Sequence, residues 1–227
     1  MHIVIIAGIV LAAIYAPGLW VKHVIRRYST PADRYPGTGA ELARHLLDGL
    51  RLEKVSVEET EAGDHYDPRD KAVRLSKNVY GGRSLTAITI AAHEVGHALQ
   101  DRDRYPALVW RTRLITLAAP LQKAGAAILV AAPFVTLLTR APAAGLLMIV
   151  GGLLSLATTT VIHLVTLPTE LDASFRRAMP LLTGAEILKP VDQPNARRLL
   201  TAAALTYVSS SLLSLLNIGR WWAILRR

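Results

Sequence analysis

The 227-residue chain contains no cysteine, only two phenylalanines and few aromatic residues overall (6%). Without cysteine it has no disulfide framework, and any metal site must use histidine, aspartate or glutamate. Acidic residues are also scarce, because 17 Asp and Glu stand against 26 Lys and Arg, which gives a net charge of +9. These basic residues are not mixed with a surface on which bases would stack, so the charge does not favour nucleic acid as a partner.

What the sequence has in excess is hydrophobic residues, at 52% of the chain, and they come in blocks. The first block, residues 2–20, is long enough to cross a hydrocarbon core. Its positive charges, Lys22, Arg26 and Arg27, follow the block, whereas a cleaved signal peptide carries them in front. The order predicts an uncleaved anchor whose N-terminus lies outside and whose residue 21 onward lies in the cytoplasm.

Three further apolar blocks follow later in the chain. Those at 114–138 and 144–167 are separated by a short turn and predict a transmembrane hairpin with its turn outside. The last block, 199–218, precedes an arginine-containing tail, and the sequence leaves open whether it spans the membrane or lies in its plane. About four transmembrane helices are therefore expected.

The polar segment at 21–113 carries more than half of the Lys and Arg residues, which predicts a cytoplasmic location. Thr38 and Glu41 have the spacing of a capping box, so a helix is expected to begin at Gly39. Residues 54–59 and 71–76 alternate like strands on either side of a turn-rich linker, which predicts a short β-hairpin or edge pair. We also expect Ser84 to cap the helix that follows.

That helix contains AAHEVGHALQ, residues 91–100, in which His93, Glu94 and His97 follow the order H-E-x-x-H. Residues four apart share a helix face, so both histidines can bind one cation. Glu94 lies beside the first ligand, where it can take a proton from a water whose pKa zinc lowers toward about 7. Gly96 keeps the helix slim between the ligands, so that another helix can pack closely. The motif predicts a catalytic zinc site.

A catalytic zinc also needs a third protein ligand and an open position. The longer metzincin motif would have glycine at position 100 and histidine at position 103, where this chain has Gln100 and Asp103. The third ligand is therefore expected elsewhere, and among the later acidic residues Glu170 is preferred, with Glu186 in reserve. Pro168 is expected to end the preceding helix, so that Thr169 caps a new one and Glu170 lies in its first turn. A carboxylate is favoured at such a helix start without any metal.

Four other side chains are weaker candidates for the site. Asp172 and Ser174 lie within one turn of Glu170 and could hold a ligand histidine by its other ring nitrogen. His65, in the turn between the strands, either approaches the site or merely shapes the turn. Tyr207 could donate a hydrogen bond to an oxyanion, although a buried tyrosine with a local partner is the simpler interpretation.

Four stretches together carry a family resemblance: GDHYDPRDKAVRLS, NVYGGRSLTAITIAAHEVGHALQ, LPTELDASFRRA and LTAAALTYVSS. They resemble the bacterial family described as "putative neutral zinc metallopeptidase", often called YugP-like, over nearly the whole chain. The resemblance implies a membrane-embedded zinc peptidase of the gluzincin type, with His93 and His97 as ligands, Glu94 as catalytic base and Glu170 as third ligand. Wider gluzincins often have aspartate four residues after the ligand glutamate, where this chain has Ser174, with Asp172 as a substitute.

The predicted fold class is therefore a mainly α, integral membrane protein with about four transmembrane helices and a small cytoplasmic zincin-like domain containing a short β-hairpin. Its divisions are an N-terminal anchor (1–20), a cytoplasmic region with the H-E-x-x-H helix (21–113), a transmembrane hairpin (114–167), a cytoplasmic helix with the third ligand (168–198) and a C-terminal apolar helix and tail (199–227).

The predicted function is a zinc endopeptidase of the bacterial plasma membrane that uses Zn²⁺ and faces the cytoplasm. Its partners would be the lipid bilayer and a peptide or membrane-protein substrate, which the strand at 71–76 would hold by β-augmentation. One alternative is a non-enzymatic membrane scaffold or chaperone with a structural zinc, which usually has four protein ligands. Another is a basic membrane protein that binds anionic lipid or nucleic acid.

Overall fold

A computed structural model describes residues 2–184 and 186–215 of the chain, so the tail at 216–227 lies outside the described residues. The fold is mainly helical and includes one small sheet. Its helices are α1 (His2–Tyr28), α2 (Gly39–Gly49), α3 (Lys77–Tyr80), α4 (Leu85–Arg102), α5 (Pro106–Thr139), α6 (Pro142–Leu171), α7 (Met179–Gly184) and α8 (Gln193–Leu215). A π-helical segment (Asp172–Ala178) follows α6 directly, and a 3₁₀ turn (Pro190–Asp192) precedes α8. The strands are β1 (Ser56–Thr60), β2 (His65–Asp67) and β3 (Ala72–Ser76).

The predicted starts of α2 and α4 are confirmed. The Thr38 hydroxyl accepts a hydrogen bond from the Glu41 amide at 3.1 Å, and the Glu41 carboxylate accepts one from the Thr38 amide at 2.7 Å. This reciprocal pair satisfies two of the unpaired amides at the start of α2. Ser84 accepts from the Ala87 amide at 3.2 Å and begins α4 at Leu85. The start of the helix that carries the motif is thus fixed by its own sequence.

The two predicted strands do pair, with β1 at the edge of the sheet, but the predicted hairpin between them is wrong. The predicted stretches 54–59 and 71–76 overlap strands β1 and β3, but these strands pair in parallel. A third strand, β2, lies within the stretch that the sequence indicated as a turn, and it pairs antiparallel with β3, so β2 and β3 form the hairpin. The chain reverses direction on both sides of β2, which makes β1 and β3 parallel. A three-residue strand is too short to produce an alternation signal.

The order of the strands also contradicts the prediction that the strand at 71–76 binds the substrate. β3 is the central strand and is paired along one side with β1 and along the other with β2. Because its amides and carbonyls are already paired on both sides, β3 cannot take up another chain by β-augmentation. The edges of the sheet are β1 and β2.

The helix α4 forms the centre of the fold. It is buried without interruption from Leu85 to Gln100, on every face, which is typical of a helix enclosed by other elements. It packs against α2, the sheet, the π-helical segment and α8. Apolar side chains of these elements, such as Leu47, Leu75 and Leu199, are fully buried around it. Each of them contributes on the order of 1.5–3 kcal/mol to stability.

The helical hairpin predicted after α4 is present as α5 and α6, which pack along each other. Small residues allow this close approach: a Cβ added to Gly125 would overlap the Ser155 side chain, and one added to Gly152 would overlap Leu129. Among the described residues, one helix, α5, is long and apolar enough to cross a membrane, whereas the sequence predicts about four.

The predicted break at Pro168 is wrong. α6 runs through Pro168 to Leu171 and continues into the π-helical segment, so Thr169 does not cap a new helix. Proline removes one amide donor from a helix, but neighbouring helices can compensate for that loss. Here α8 packs against both α6 and the π-helical segment, and α4 packs against the latter. Glu170 therefore lies near the end of a long helix and not at the start of a new one.

Candidate metal centre

Three side chains from two distant elements converge in the interior. His93 and His97 lie one turn apart on α4, and Glu170 reaches them from the end of α6. The Glu170 Oε2 atom is 3.3 Å from the Nε2 atom of each histidine. One ligand atom from each residue lies within 4.8 Å of the other two, and all three residues are buried.

The donor atoms fit a zinc ion. Ligands bound tetrahedrally at about 2.0–2.2 Å lie about 3.4 Å from one another, close to the carboxylate–imidazole distances in this cluster. Two histidines and one carboxylate are also a ligand set of catalytic zinc. The other oxygen, Glu170 Oε1, is buried and has no hydrogen bond of proper geometry, although the Arg111 guanidinium forms an ion pair with it at 3.3 Å.

The second ring nitrogen of each histidine has a polar neighbour, which assigns the tautomers. His93 Nδ1 lies 3.1 Å from the Ser174 hydroxyl, which itself donates to the Leu200 carbonyl at 3.2 Å. The hydroxyl is thus left to accept a hydrogen bond from the histidine. His97 Nδ1 lies 2.9 Å from the Gln100 amide oxygen, which can only accept. Both rings then carry the proton on Nδ1 and present an unprotonated Nε2 to the cluster.

A polar chain continues from Gln100 to the protein surface. The Gln100 amide nitrogen donates to the Thr169 carbonyl and to Asp172 Oδ2, each at 2.8 Å. Arg177 donates to the same Asp172 oxygen at 2.7 Å and to Asp103 at 2.6 Å.

Asp172 therefore acts on His97 through Gln100, while Ser174 touches His93 directly. This role of Gln100 is not among the sequence-based predictions; the signal for it in the sequence is the position of Gln100 one turn after His97 on the same helix.

Glu94 lies beside the cluster in a buried position on α4. Burial raises the pKa of Glu94 to about 7, opposed by the nearby His93 and reinforced by the negative charge of Glu170. Burial would also raise the pKa of Glu170, but the imidazoles of His97 and His93 hold it well below its usual range. Two adjacent carboxyl groups thus have different proton affinities, and Glu94 is the one that can exchange a proton near neutral pH.

A cavity of about 810 Å³ leads to this cluster and is lined by His93, Glu94, His97 and Glu170. His65, one of the candidates from the sequence, lies on β2 and lines the same cavity. Its Nδ1 atom is 2.8 Å from the Gly63 carbonyl. The neighbouring Tyr66 donates to Asp101 at 2.6 Å and so joins β2 to the end of α4.

Arg111 lies at the site, Glu186 does not, and the side chain of Tyr207 cannot be assigned to it. Arg111, which the sequence analysis did not single out, lines the cavity from α5. Nothing in its local sequence marks it, because its proximity to Glu170 arises from the packing of α5. Glu186 is exposed, with a positive φ of 52°, in the turn after α7 and is not part of the metal cluster. Tyr207 lies within α8, but its side chain is outside the described part of the structure.

Comparisons with known proteins point to the same chemistry. A family model described as "Putative neutral zinc metallopeptidase" matches residues 2–226. The chain is 36% identical over 210 residues to the "Putative membrane protease YugP" of Bacillus subtilis (strain 168), an alignment that covers 88% of this chain and 86% of that protein. No solved structure matches the chain.

Proposed function

The chain belongs to the family described as "Putative neutral zinc metallopeptidase", and on that premise we propose that it is a membrane-bound zinc endopeptidase. The observation that carries the proposal is the convergence of His93, His97 and Glu170 at a cavity that Glu94 also lines. A cluster of metal ligands that borders a large cavity can admit a substrate, which a purely structural site does not need to do.

His93, His97 and Glu170 are the residues that would hold Zn²⁺. When bound, the zinc supplies Lewis-acid chemistry, because it polarises a carbonyl and lowers the pKa of water. Glu94 accepts a proton from the water that attacks the scissile carbonyl. It then delivers that proton to the leaving nitrogen as the carbon–nitrogen bond breaks. A pKa of about 7 suits both steps, since the group must accept and release a proton at neutral pH.

Other residues position these groups. Ser174 and Gln100 fix the two rings so that each presents Nε2, and Arg111 engages the Glu170 oxygen that the histidines do not contact. His65 and the edge strand β2 line the cavity, so an extended substrate would lie along β2 and contact His65. Tyr207 is proposed as a hydrogen-bond donor to the oxyanion that forms on the substrate.

We further propose that the chain crosses the bacterial plasma membrane several times, with the cavity at its cytoplasmic face. α5 is long and apolar enough to span. The apolar runs at 2–20 in α1 and 144–167 in α6 contain no charged residue. The excess of Lys and Arg between α1 and α5 supports a cytoplasmic location for the segment that carries α4.

The cluster of three candidate ligands, His93, His97 and Glu170, argues against a zinc-containing scaffold or chaperone. A structural zinc is usually closed by four protein ligands, whereas a catalytic zinc has three and leaves one position open. Within residues 2–184 and 186–215 the cluster offers three ligands and borders the cavity. This arrangement supports a catalytic zinc site over a structural one.

The decisive test is Glu94→Gln in the full-length protein purified in detergent. The amide cannot accept the proton, so cleavage of fluorescently labelled casein is expected to fall about 10²–10⁴-fold. Zinc content, measured by mass spectrometry of the metal, is expected to stay equal to that of the unaltered protein. The control is Glu186→Gln, which changes an exposed glutamate outside the cluster and should alter neither quantity. Undiminished cleavage by the Glu94→Gln protein would contradict the proposed function.

A further inference from the structure

The cavity separates two helices that belong to the same helical layer. α1 packs on α8, α8 packs on α6, and α6 packs on α5. Within the described residues, no extensive contact between α1 and α5 closes this series. Instead Ile25 of α1 and Leu108, Thr112 and Ile115 of α5 line the cavity. The layer is therefore an open series of helices, and the gap between its two ends leads to the candidate metal centre.

The α5 wall shows where the gap opens. Leu108, at the start of the helix and close to the buried cluster, is 7% exposed. Ile115, two turns further along, is 46% exposed although it lines the same cavity. Thr112 and Thr116, between and beyond them, are also exposed. The mouth thus lies near residues 112–116, which is where the apolar run of α5 begins.

The surfaces on both sides of this mouth are apolar. Leu19 and Trp20 are exposed on α1, and Trp110 and Leu117 are exposed on α5. The apolar run of α1 ends at residue 20, only a few residues before Ile25, and the apolar run of α5 begins beside the mouth, so both runs meet the mouth at a boundary with polar sequence. Tryptophans at such positions are typical of the boundary between hydrocarbon and head groups. The mouth therefore faces the cytoplasmic edge of the bilayer in the topology proposed above.

We propose that the substrate is the juxtamembrane segment of a membrane-anchored polypeptide, and that it enters the cavity sideways between α1 and α5. The proposal rests on the proposed function and names its substrate class. The anchor helix of the substrate stays in the bilayer against the apolar surfaces of α1 and α5. The adjoining extended segment passes the exposed threonines of α5 and reaches the cavity that Glu94 lines.

The dimensions of the site favour an extended segment over a folded domain. His93 is 4% exposed and His97 is 6% exposed, so their nitrogens are reached only through the cavity. A volume of about 810 Å³ falls within the range of pockets that enclose a small ligand, about 300–1,000 Å³, and holds a few residues of peptide. Anchoring keeps such a segment close to the mouth and raises its effective concentration there.

Photo-crosslinking tests the route without requiring cleavage. The chain has no cysteine, so one cysteine can be introduced alone and labelled with benzophenone-maleimide. Thr112→Cys places the label on the cavity wall, and Thr139→Cys places it at the opposite end of α5. Both are combined with Glu94→Gln and reconstituted in liposomes. The probe is a synthetic peptide with one apolar transmembrane helix and a polar tail, compared with the same tail without the helix.

The anchored probe is expected to crosslink to the Thr112→Cys protein about 10²-fold more efficiently than the free tail at equal concentration. The crosslinks should map by mass spectrometry to tail residues next to the helix, and Thr139→Cys should give none at those residues. Equal crosslinking of the free tail would indicate entry of soluble peptides from the aqueous side and overturn the proposal. Crosslinks confined to the membrane helix would overturn it as well.

Closing the mouth tests whether this route serves cleavage. Ile25→Cys and Ile115→Cys are introduced together and joined by a bismaleimide that contains a reducible disulfide. Cleavage of the anchored probe is expected to fall to background and to recover after reduction, with zinc content constant throughout. Full cleavage in the joined state overturns the lateral route. If Glu94 is not catalytic, the crosslinking result still stands, so failure of the route and failure of the proposed function are distinguishable.

Discussion

At the scale of single residues, the candidate metal centre depends on hydrogen bonds to the far side of each imidazole. Gln100 is fully buried and uses both ends of its amide, because its oxygen faces His97 and its nitrogen donates to Thr169 and Asp172. A rotated His97 ring would lose the Gln100 contact in a region that water does not reach. Such partners of a metal ligand fix the ring orientation and raise its affinity for the metal.

Replacing Gln100 with leucine keeps the approximate volume and removes the acceptor. Zinc affinity is expected to fall about 10–100-fold, because the His97 ring is no longer held in the orientation that presents Nε2. Competition with a zinc-binding dye on the purified protein measures the change. The control is Gln193→Leu, at a half-buried position that begins α8 away from the cluster. An unchanged affinity in the Gln100→Leu protein would show that the amide does not hold the ring.

At the scale of elements, the site depends on how closely α4 approaches the π-helical segment. A Cβ added to Gly96 would lie 2.7 Å from the Ala173 carbonyl oxygen, which is closer than such atoms can pack. The sequence-based expectation that Gly96 permits close helix packing is therefore confirmed. Ser174, four residues after Glu170 in the chain, lies within the π-helical segment and reaches His93 from there. Single π turns inside helices are frequent at functional sites.

Gly96→Ala is expected to force α4 and the π-helical segment apart. The clash involves backbone that cannot rotate away, so the free energy of unfolding should fall by about 1–3 kcal/mol. Zinc affinity should fall with it, since the histidines lie on α4 and Glu170 lies at the end of α6, directly before the π-helical segment that is displaced. Thermal unfolding with and without added zinc measures both effects. Gly49→Ala, at the end of α2 where a Cβ meets nothing within 4 Å, is the matched control and should not destabilise the protein. A Gly96→Ala protein as stable as this control would contradict the prediction.

At the scale of the whole molecule, one ionic cluster joins the segment after α1 to the segment before α8. Arg34 binds Asp192 through two hydrogen bonds of 2.7 and 2.5 Å, and the Tyr35 hydroxyl donates to the same carboxylate at 2.7 Å. Lys189 donates to the Arg34 carbonyl at 3.1 Å. Tyr35 and Asp192 are buried while Arg34 is partly exposed. The cluster holds together parts of the chain that are more than 150 residues apart.

This cluster gives the stability a defined dependence on pH. Burial alone would raise the pKa of Asp192, but the hydrogen bonds from Arg34 and Tyr35 outweigh it and lower the pKa below the ordinary value of 3.8. The folded state therefore binds a proton at Asp192 less readily than the unfolded state does. The resulting stabilisation is present above about pH 4 and is lost as the pH falls through the lowered pKa.

Asp192→Asn is expected to lower the free energy of unfolding at pH 7 by about 1–3 kcal/mol, because charge-assisted hydrogen bonds are lost while the exposed part of Arg34 can turn to water. The difference between the two proteins should shrink as the pH is lowered below about 4. Denaturant unfolding between pH 3 and pH 7 measures it, and comparing two proteins at each pH cancels the effect of acid on zinc. A difference that stays constant with pH would contradict the assigned role of the carboxylate.

Most features that the sequence determined by itself are local. Capping residues fix the starts of α2 and α4, and the four-residue spacing of His93 and His97 places them on one helix face, since both depend only on neighbouring residues. The same holds for the helical hairpin of α5 and α6, which follows from two long apolar runs joined by a short turn. Two predictions failed, the turn-rich linker where β2 lies and the helix break at Pro168, because short strands and proline-containing helices are decided by what packs around them.

The tertiary structure decided which distant groups meet. The sequence offered Glu170 and Glu186 as carboxylates, and only the packing of α6 against the centre of the fold brings Glu170 within 3.3 Å of both histidines. Arg111 and the gap between α1 and α5 are equally invisible in the chain, because they arise from the relative positions of whole helices. Helix spacing within a segment is dictated by backbone geometry, whereas contacts across some 70 residues depend on the packing of every element between them.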